Sequence, residues 1–390
     1  MTEFKAVGFK ATAGADRAPG TPENRGLGAR GWAAATLIAV LGSALRVGVL
    51  AIFARANQDS LWGLLNKWDA QYYTEIARAG YFGAEVGEPG KSFETAMAFF
   101  PGFPLVIRAL ASLGINESAA AMLLNLIFLS VLAAGVMAIA ARMGAGFPGR
   151  VAAAIVVTSA PMSIVLSMPY TEALFGALLM WGLVALHDER WWLAGAAGFA
   201  LSFVRLTAVD FLAVFALMVL LRAVRNWRAW CALVLAALPL VGYLTWANQH
   251  LAHLGGYFGT QRQHWNSHFD FGAATMRWAW TVLTTGDNVG YLLSVSVIIA
   301  VPILLVLSWG KLPPAVWWFS AALTANVVLS DGIMHSRPRL LLPTALVLLP
   351  WILRAAAAPP RRGLWWAVAA WVLWGAWFSG YMLAVFEWAI

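Results

Sequence analysis

The sequence predicts an all-α polytopic membrane protein, and three observations carry that prediction. The chain has 390 residues, of which 61% are hydrophobic and only 11% charged. Its mean hydropathy is +0.72, and its apolar residues fall in long runs that end in Arg or Lys. A soluble domain of this length could not cover such a core with so few charges. The 22 tryptophans and 21 phenylalanines suit a chain with many membrane–water interfaces, where aromatic rings settle.

The first 31 residues are polar, contain Gly and Pro, and read as a disordered cytoplasmic tail. The apolar run that begins near Trp32 lacks a small-residue cleavage site and is expected to stay as an anchor. Spans of about 20 apolar residues, fewer where neighbours shelter them, are expected at 32–54, 118–141, 149–168, 172–187, 191–208, 209–222, 229–249, 289–308, 314–330, 339–354 and 364–386. These eleven spans and the loops between them form one transmembrane domain, 32–390. With the tail inside, Arg142, Arg150, Arg190, Arg222, Arg225, Arg228, Lys311, Arg354, Arg361 and Arg362 all fall in the cytoplasm. That is the positive-inside pattern, and it accounts for the net charge of +8. Contact with acidic lipid headgroups adds to it; no motif supports nucleic-acid binding. The stretch from Phe103 to Leu113 is read as an interfacial helix, because a span there would move Arg142 and Arg150 outside.

This topology predicts that the least expected polar residues gather at one face. Loops 55–117 and 250–288 lie there and are expected to form the active-site side, since long loops on a helical scaffold usually carry function. The same face receives Asp69, Glu75, Glu172, Arg205, His264, Arg337 and Arg339. The single cysteine, Cys231, excludes an internal disulfide. The six histidines are scattered without HxxxH or HExxH spacing, and no Walker or GxGxxG motif marks a nucleotide site.

Within the first loop, Trp68-Asp69-Ala70-Gln71-Tyr72-Tyr73 places a carboxylate beside aromatic rings. Such an acid can serve as a general base that deprotonates a hydroxyl attacking an anomeric carbon, with Trp68, Tyr72 and Tyr73 as sugar-stacking faces. The alternative is that Asp69 only caps a short helix. Glu75, six residues on, belongs to another side of that helix and reads as structural. Thr171 or Glu172 could cap the span they open, or Glu172 could bind substrate. Arg337 and Arg339 suit an anionic ligand, because Arg grips phosphate oxygens at two points; the alternative for Arg337 is a pair with Asp331. Arg205, His264 and Trp265 complete the candidate substrate-binding set. No metal or other cofactor is required, although Asp69 and Glu172 are the carboxylates that would hold a divalent cation.

The motifs together resemble one family. Trp68-Asp69-Ala70-Gln71-Tyr72-Tyr73, with Ile76-Ala77 and Gly80-Tyr81, resembles the first outer loop of GPI mannosyltransferase II (PIG-V-like) proteins. Phe99-Phe100-Pro101-Gly102-Phe103-Pro104 looks like the family's FFP-x-x-P stretch. Tyr170-Thr171-Glu172-Ala173-Leu174-Phe175 resembles its Y-[ST]-E-[SA]-L-F signature, and Arg205-Leu206-Thr207 its R-x-[TS] element. His264-Trp265-Asn266 and Arg337–Leu342 follow in the expected order, so the resemblance runs over about 60–342. It implies the GT-C glycosyltransferase fold, with the active site on the extracytoplasmic face and Asp69 at the catalytic acidic position.

It also implies an inverting transfer of a hexose, mannose first, from a polyprenyl-phosphate carrier. The Ala-, Gly- and Arg-rich composition points to the plasma membrane of a high-GC bacterium, where a GPI precursor is not expected. A cell-envelope lipid, glycan or protein is then the acceptor. The rival class is a transporter or flippase of a lipid-linked anion, which would place charges deep within the spans.

Overall fold

Long apolar runs with few breakers need every backbone polar group satisfied within the run, and the chain answers with helices throughout. The computed structural model describes residues 27–86, 92–286 and 288–388. Most of the predicted tail lies outside them, and the helix that follows already starts at Gly28, four residues before the expected boundary. Among the described residues the only extended pairing is an isolated bridge between Phe269 and Ser330.

Helix α1 spans Gly28–Asn57 and leads into the first loop, which folds as four short helices: α2 Leu61–Leu65, α3 Asp69–Ala79, α4 Ser92–Ala96 and α5 Gly102–Ala111. The last of these has ten residues, too few to cross a bilayer. The next six are α6 Glu117–Arg142, α7 Phe147–Thr158, α8 Glu172–His187, α9 Trp191–Ser202, α10 Ala208–Arg222 and α11 Trp227–His250. The second long loop holds α12 Gly256–Trp265 and α13 Ala273–Thr285, followed by α14 Val289–Leu307 and α15 Pro314–Val328. The chain closes with the four-residue turn α16 Arg337–Leu340, then α17 Leu349–Ala357 and α18 Arg362–Ala384.

Each of the eleven expected spans contains helix, yet only five helices among the described residues are long and apolar enough to cross a membrane alone. A sixth span results if Met334–Leu340 and Leu342–Ala357, bent by 61°, are joined. The others are shorter apolar helices, which must lean on neighbours to satisfy their ends. The helices α6 and α8 do this at close range: a Cβ on Gly135 would sit 2.5 Å from that of Met180. Small residues allow helix backbones to approach in this way.

Helix α7 shows what a short helix costs. It stops at Thr158, inside the scaffold, and its C-terminal carbonyls would be orphaned. Arg46 of α1, 3% exposed, supplies the donor: its guanidinium bonds the Thr158 carbonyl at 2.9 Å and the hydroxyls of Ser43 and Ser167 at 3.2 and 3.4 Å. Cations favour helix C-termini. Sequence reasoning passed over this arginine, whose position inside an apolar run was itself the signal.

The basic residues of the opposite end also find anchors. Arg142 grips Asp188 with two bonds of 2.8 and 2.5 Å, and that contact holds the Asp188 carboxyl below its usual range. Arg150 and Arg361 bond the carbonyls of Ala145 and Ala356.

Candidate active site

Helix α3 begins after Trp68, which takes a positive φ of 60° with ψ −124°, so Asp69 is the first helical residue and not the cap. Its carboxylate makes no capping bond. It accepts instead from Arg339, with NH1 to Oδ2 at 2.6 Å across 270 residues of sequence. The capping alternative for Asp69 is thereby corrected, because a charged partner outcompetes local backbone donors. The Asp69 backbone N–H donates to the Tyr170 hydroxyl at 3.3 Å, fixing the start of α3 against the loop before α8.

Glu172 opens α8 and is 7% exposed. Thr171, at the cap position, makes no capping bond, and its hydroxyl lies 3.4 Å from that of Tyr73. The Glu172 Oε1 accepts from Arg205 at 2.7 Å, and Arg339 Nε stands 3.7 Å from the same oxygen. The Arg339 guanidinium also lies over the Tyr170 ring, 5.1 Å from its centroid. Four side chains thus alternate in charge: Asp69, Arg339, Glu172, Arg205. Burial of such charges is tolerated only when each has a partner, and this ladder supplies one to each.

Glu172, Arg205 and Arg339 line a cavity of about 30 Å³ whose walls are otherwise largely apolar, including Leu132, Phe175, Met180 and Leu323. Asp69 is the most accessible charge of the ladder, its side chain 25% exposed against 5–16% for the other three. An aromatic wall stands beside it. Tyr72 stacks on Phe99 at 4.4 Å between centroids, and Tyr73 and Trp265 meet the same ring at 5.2 and 6.0 Å. Burial raises the Tyr73 hydroxyl well above its ordinary range, so it stays protonated at neutral pH and offers a hydroxyl, not a base. The Arg339 guanidinium occupies the space between the two carboxylates that would hold a divalent cation. Among the described residues no three His, Cys, Asp or Glu side chains cluster as a metal site would need.

The structure brings together Asp69, Glu172, Arg205 and Arg339 from the predicted set, with Tyr72, Tyr73 and Trp265 nearby. It does not bring Arg337 to them. Arg337, 3% exposed, donates to the Thr275 hydroxyl and to the Ser330 carbonyl, and forms no ion pair with Asp331 among the described residues. That placement sets Arg337 apart from the ladder, with uncharged hydrogen-bond partners, while Asp331 and Asp270 favour its charge from a distance. Asp331 accepts from Asn266 at 3.2 Å instead. His264 is half-buried on α12 with its ring 5.7 Å from that of Trp265, and no contact joins it to the ladder. Trp68 lies beside Asp69 with its indole N–H buried and without a hydrogen-bond partner among the described residues. Glu75 pairs with Arg78 at 2.6 Å, as its place on another side of α3 predicts.

The scaffold and the site define a multi-pass helical protein of the GT-C fold. It is similar to the crystal structure of ArnT from Cupriavidus metallidurans bound to undecaprenyl phosphate, with a TM-score of 0.51 and 14% identity, covering 92% of this chain and 77% of that one. Residues 39–229, just under half of the chain, match the family described as Mannosyltransferase (PIG-V). That stretch holds Asp69, Glu172 and Arg205; His264 and Arg339 lie beyond it, so the match ends well before the 60–342 expected. GPI alpha-1,6-mannosyltransferase 2 of Mus musculus is 33% identical over 148 residues, and that of Cricetulus griseus 32%. Each match covers 35% of this chain and 28% of the relative. The chain therefore matches little more than a quarter of the length of these curated relatives.

Proposed function

We propose that the protein is an inverting membrane glycosyltransferase that moves a hexose, mannose first among candidates, from a polyprenyl-phosphate carrier to a cell-envelope acceptor. The observation that carries this reading is the charge ladder at the mouth of an apolar cavity. A base sits at its exposed end and two arginines sit further in. The undecaprenyl phosphate bound by the structural neighbour and the mannosyltransferase family match support the same chemistry. In the reaction, the acceptor hydroxyl oxygen forms a bond to the anomeric carbon from the face opposite the phosphate. Asp69 takes the hydroxyl proton as the bond from anomeric carbon to phosphate oxygen breaks.

The leaving polyprenyl phosphate then gathers negative charge, and fixed cations placed where charge develops are the largest electrostatic contribution available. Arg339 and Arg205 are those cations. Arg339 has five N–H donors in a planar fork, so it can keep Asp69 and still offer a phosphate its remaining donors. Tyr72, Tyr73 and Trp265 supply faces on which a sugar ring can rest. The site is read as extracytoplasmic, in a bacterial plasma membrane, because the opposite end collects Arg142, Arg150, Arg222, Arg225, Arg228, Arg354, Arg361 and Arg362.

Purified protein incubated with polyprenyl-phosphate-mannose and an envelope-lipid extract should yield a mannosylated product identifiable by mass spectrometry. Absence of any transfer from this donor, or from the glucose and galactose equivalents, would reject the reading. Sidedness is checked in a Cys231→Ser background, where a cysteine at exposed Gln71 should label from outside the cell and one at Arg361 only after permeabilisation.

A further inference from the structure

Two buried polar atoms of the ladder have no hydrogen-bond partner among the described residues: Glu172 Oε2 and Arg339 Nε. A buried group left unsatisfied by the protein calls for a partner, whether a water, an ion or a ligand group. They differ in sense, one an acceptor and one a donor. They belong to neighbouring side chains, since Arg339 Nε is 3.7 Å from the other oxygen of the same Glu172 carboxylate. Both residues line the cavity of about 30 Å³, room for one or two water-sized groups.

A group that completes such a pair must donate and accept at once and must be small. Carboxylates and phosphates fail, because they only accept and would face Glu172; ammonium fails, because it only donates and would face Arg339. A hydroxyl satisfies both, and so does the water that a hydroxyl would displace. From this geometry we infer that Glu172 Oε2 and Arg339 Nε together bind one ring hydroxyl of the transferred sugar, making Glu172 a specificity-determining residue. The identity of the hydroxyl's owner rests on the glycosyl-transfer reading above. The sugar is favoured over the acceptor because the cavity lies inward of Asp69, and because Arg339 would hold the phosphate to which that sugar is attached. Loss of this hydroxyl would leave two buried groups unpaired again, which is the condition under which a site discriminates strongly.

The test is donor binding to the full-length protein in detergent, using polyprenyl-phosphate-mannose, its monodeoxy analogues and bare polyprenyl phosphate, with transfer measured in parallel. One deoxy position should weaken binding on the order of 10²-fold in the wild type, the others by little. That penalty should nearly vanish in Glu172→Gln, whose amide is no longer held by both arginines. It should also shrink in Arg339→Lys, which keeps the charge and removes the Nε–H. An equal penalty at that position in wild type and both variants overturns the inference. So does a wild type indifferent to every deoxy change, a result that needs no variant to fold. Selective binding without transfer to any acceptor would sustain the hydroxyl site and reject the transferase reading. Transfer without a selective position would do the reverse.

Discussion

Asp69→Asn is expected to insert, fold and lose transfer by about 10²-fold or more. The substitution keeps the size of the side chain and one carbonyl oxygen for Arg339, now 2.6 Å from the carboxylate. The bond that fixes the start of α3 runs through the Asp69 backbone N–H to Tyr170, so the helix should not move. Arg339 retains Glu172 as a counter-charge, which protects the fold. What is lost is the capacity to take a proton. The deficit should therefore appear in kcat, with donor affinity changed little. Near wild-type turnover by a well-folded variant would return the base to another residue.

The second large effect separates two arginines that are neighbours in sequence. Arg339→Ala leaves Asp69 without its ion-pair partner and leaves Glu172 with Arg205 alone. Removing one member of a buried pair costs roughly 3–5 kcal/mol, so both thermal stability and polyprenyl-phosphate affinity should fall. Arg339→Lys should recover much of the stability and little of the affinity, because an ammonium cannot grip a phosphate at two points. Arg337→Ala should behave differently. It removes bonds to Thr275 and Ser330 and should cost about 1–3 kcal/mol of stability, while the folded protein binds polyprenyl phosphate as the wild type does. If Arg337→Ala weakened that binding and Arg339→Ala did not, the roles assigned to the two arginines would be exchanged.

The reason the two differ was hidden by helix geometry. Read as a run, Arg337-Pro338-Arg339 looks like a doubled cation at a loop end. In the folded chain it is a helical turn, and residues two apart in a helix point to nearly opposite sides. One arginine therefore turns toward Thr275 and the other toward Asp69. The helical class and the order of apolar segments were legible because hydropathy runs are a strong signal. The number of full crossings was less so, since helices such as α7 and α9 are only 12 residues long and depend on packing that composition does not reveal. Asp69 and Glu172 could be picked out from their chemistry and surroundings, and Arg205 from its place among few other cations. The partner of Asp69 could not, because no local pattern ties residue 69 to residue 339. Trp265 was singled out beside His264, yet only the fold shows that it shares the wall of Phe99 while the histidine stays apart.

The span of the Asp69–Arg339 contact, 270 residues, also bears on how the protein is made. Helices enter a membrane in the order of synthesis, so the first loop is complete long before α16 exists. During that interval Asp69 stands without its counter-charge, and the stretch 39–229 that matches the family is present while the site is not. A chain cut between residue 229 and Arg339 would keep the whole matched stretch and lack the cation that pairs with Asp69. Activity should thus arise only as the last helices dock, which makes the finished site a proof of completed insertion.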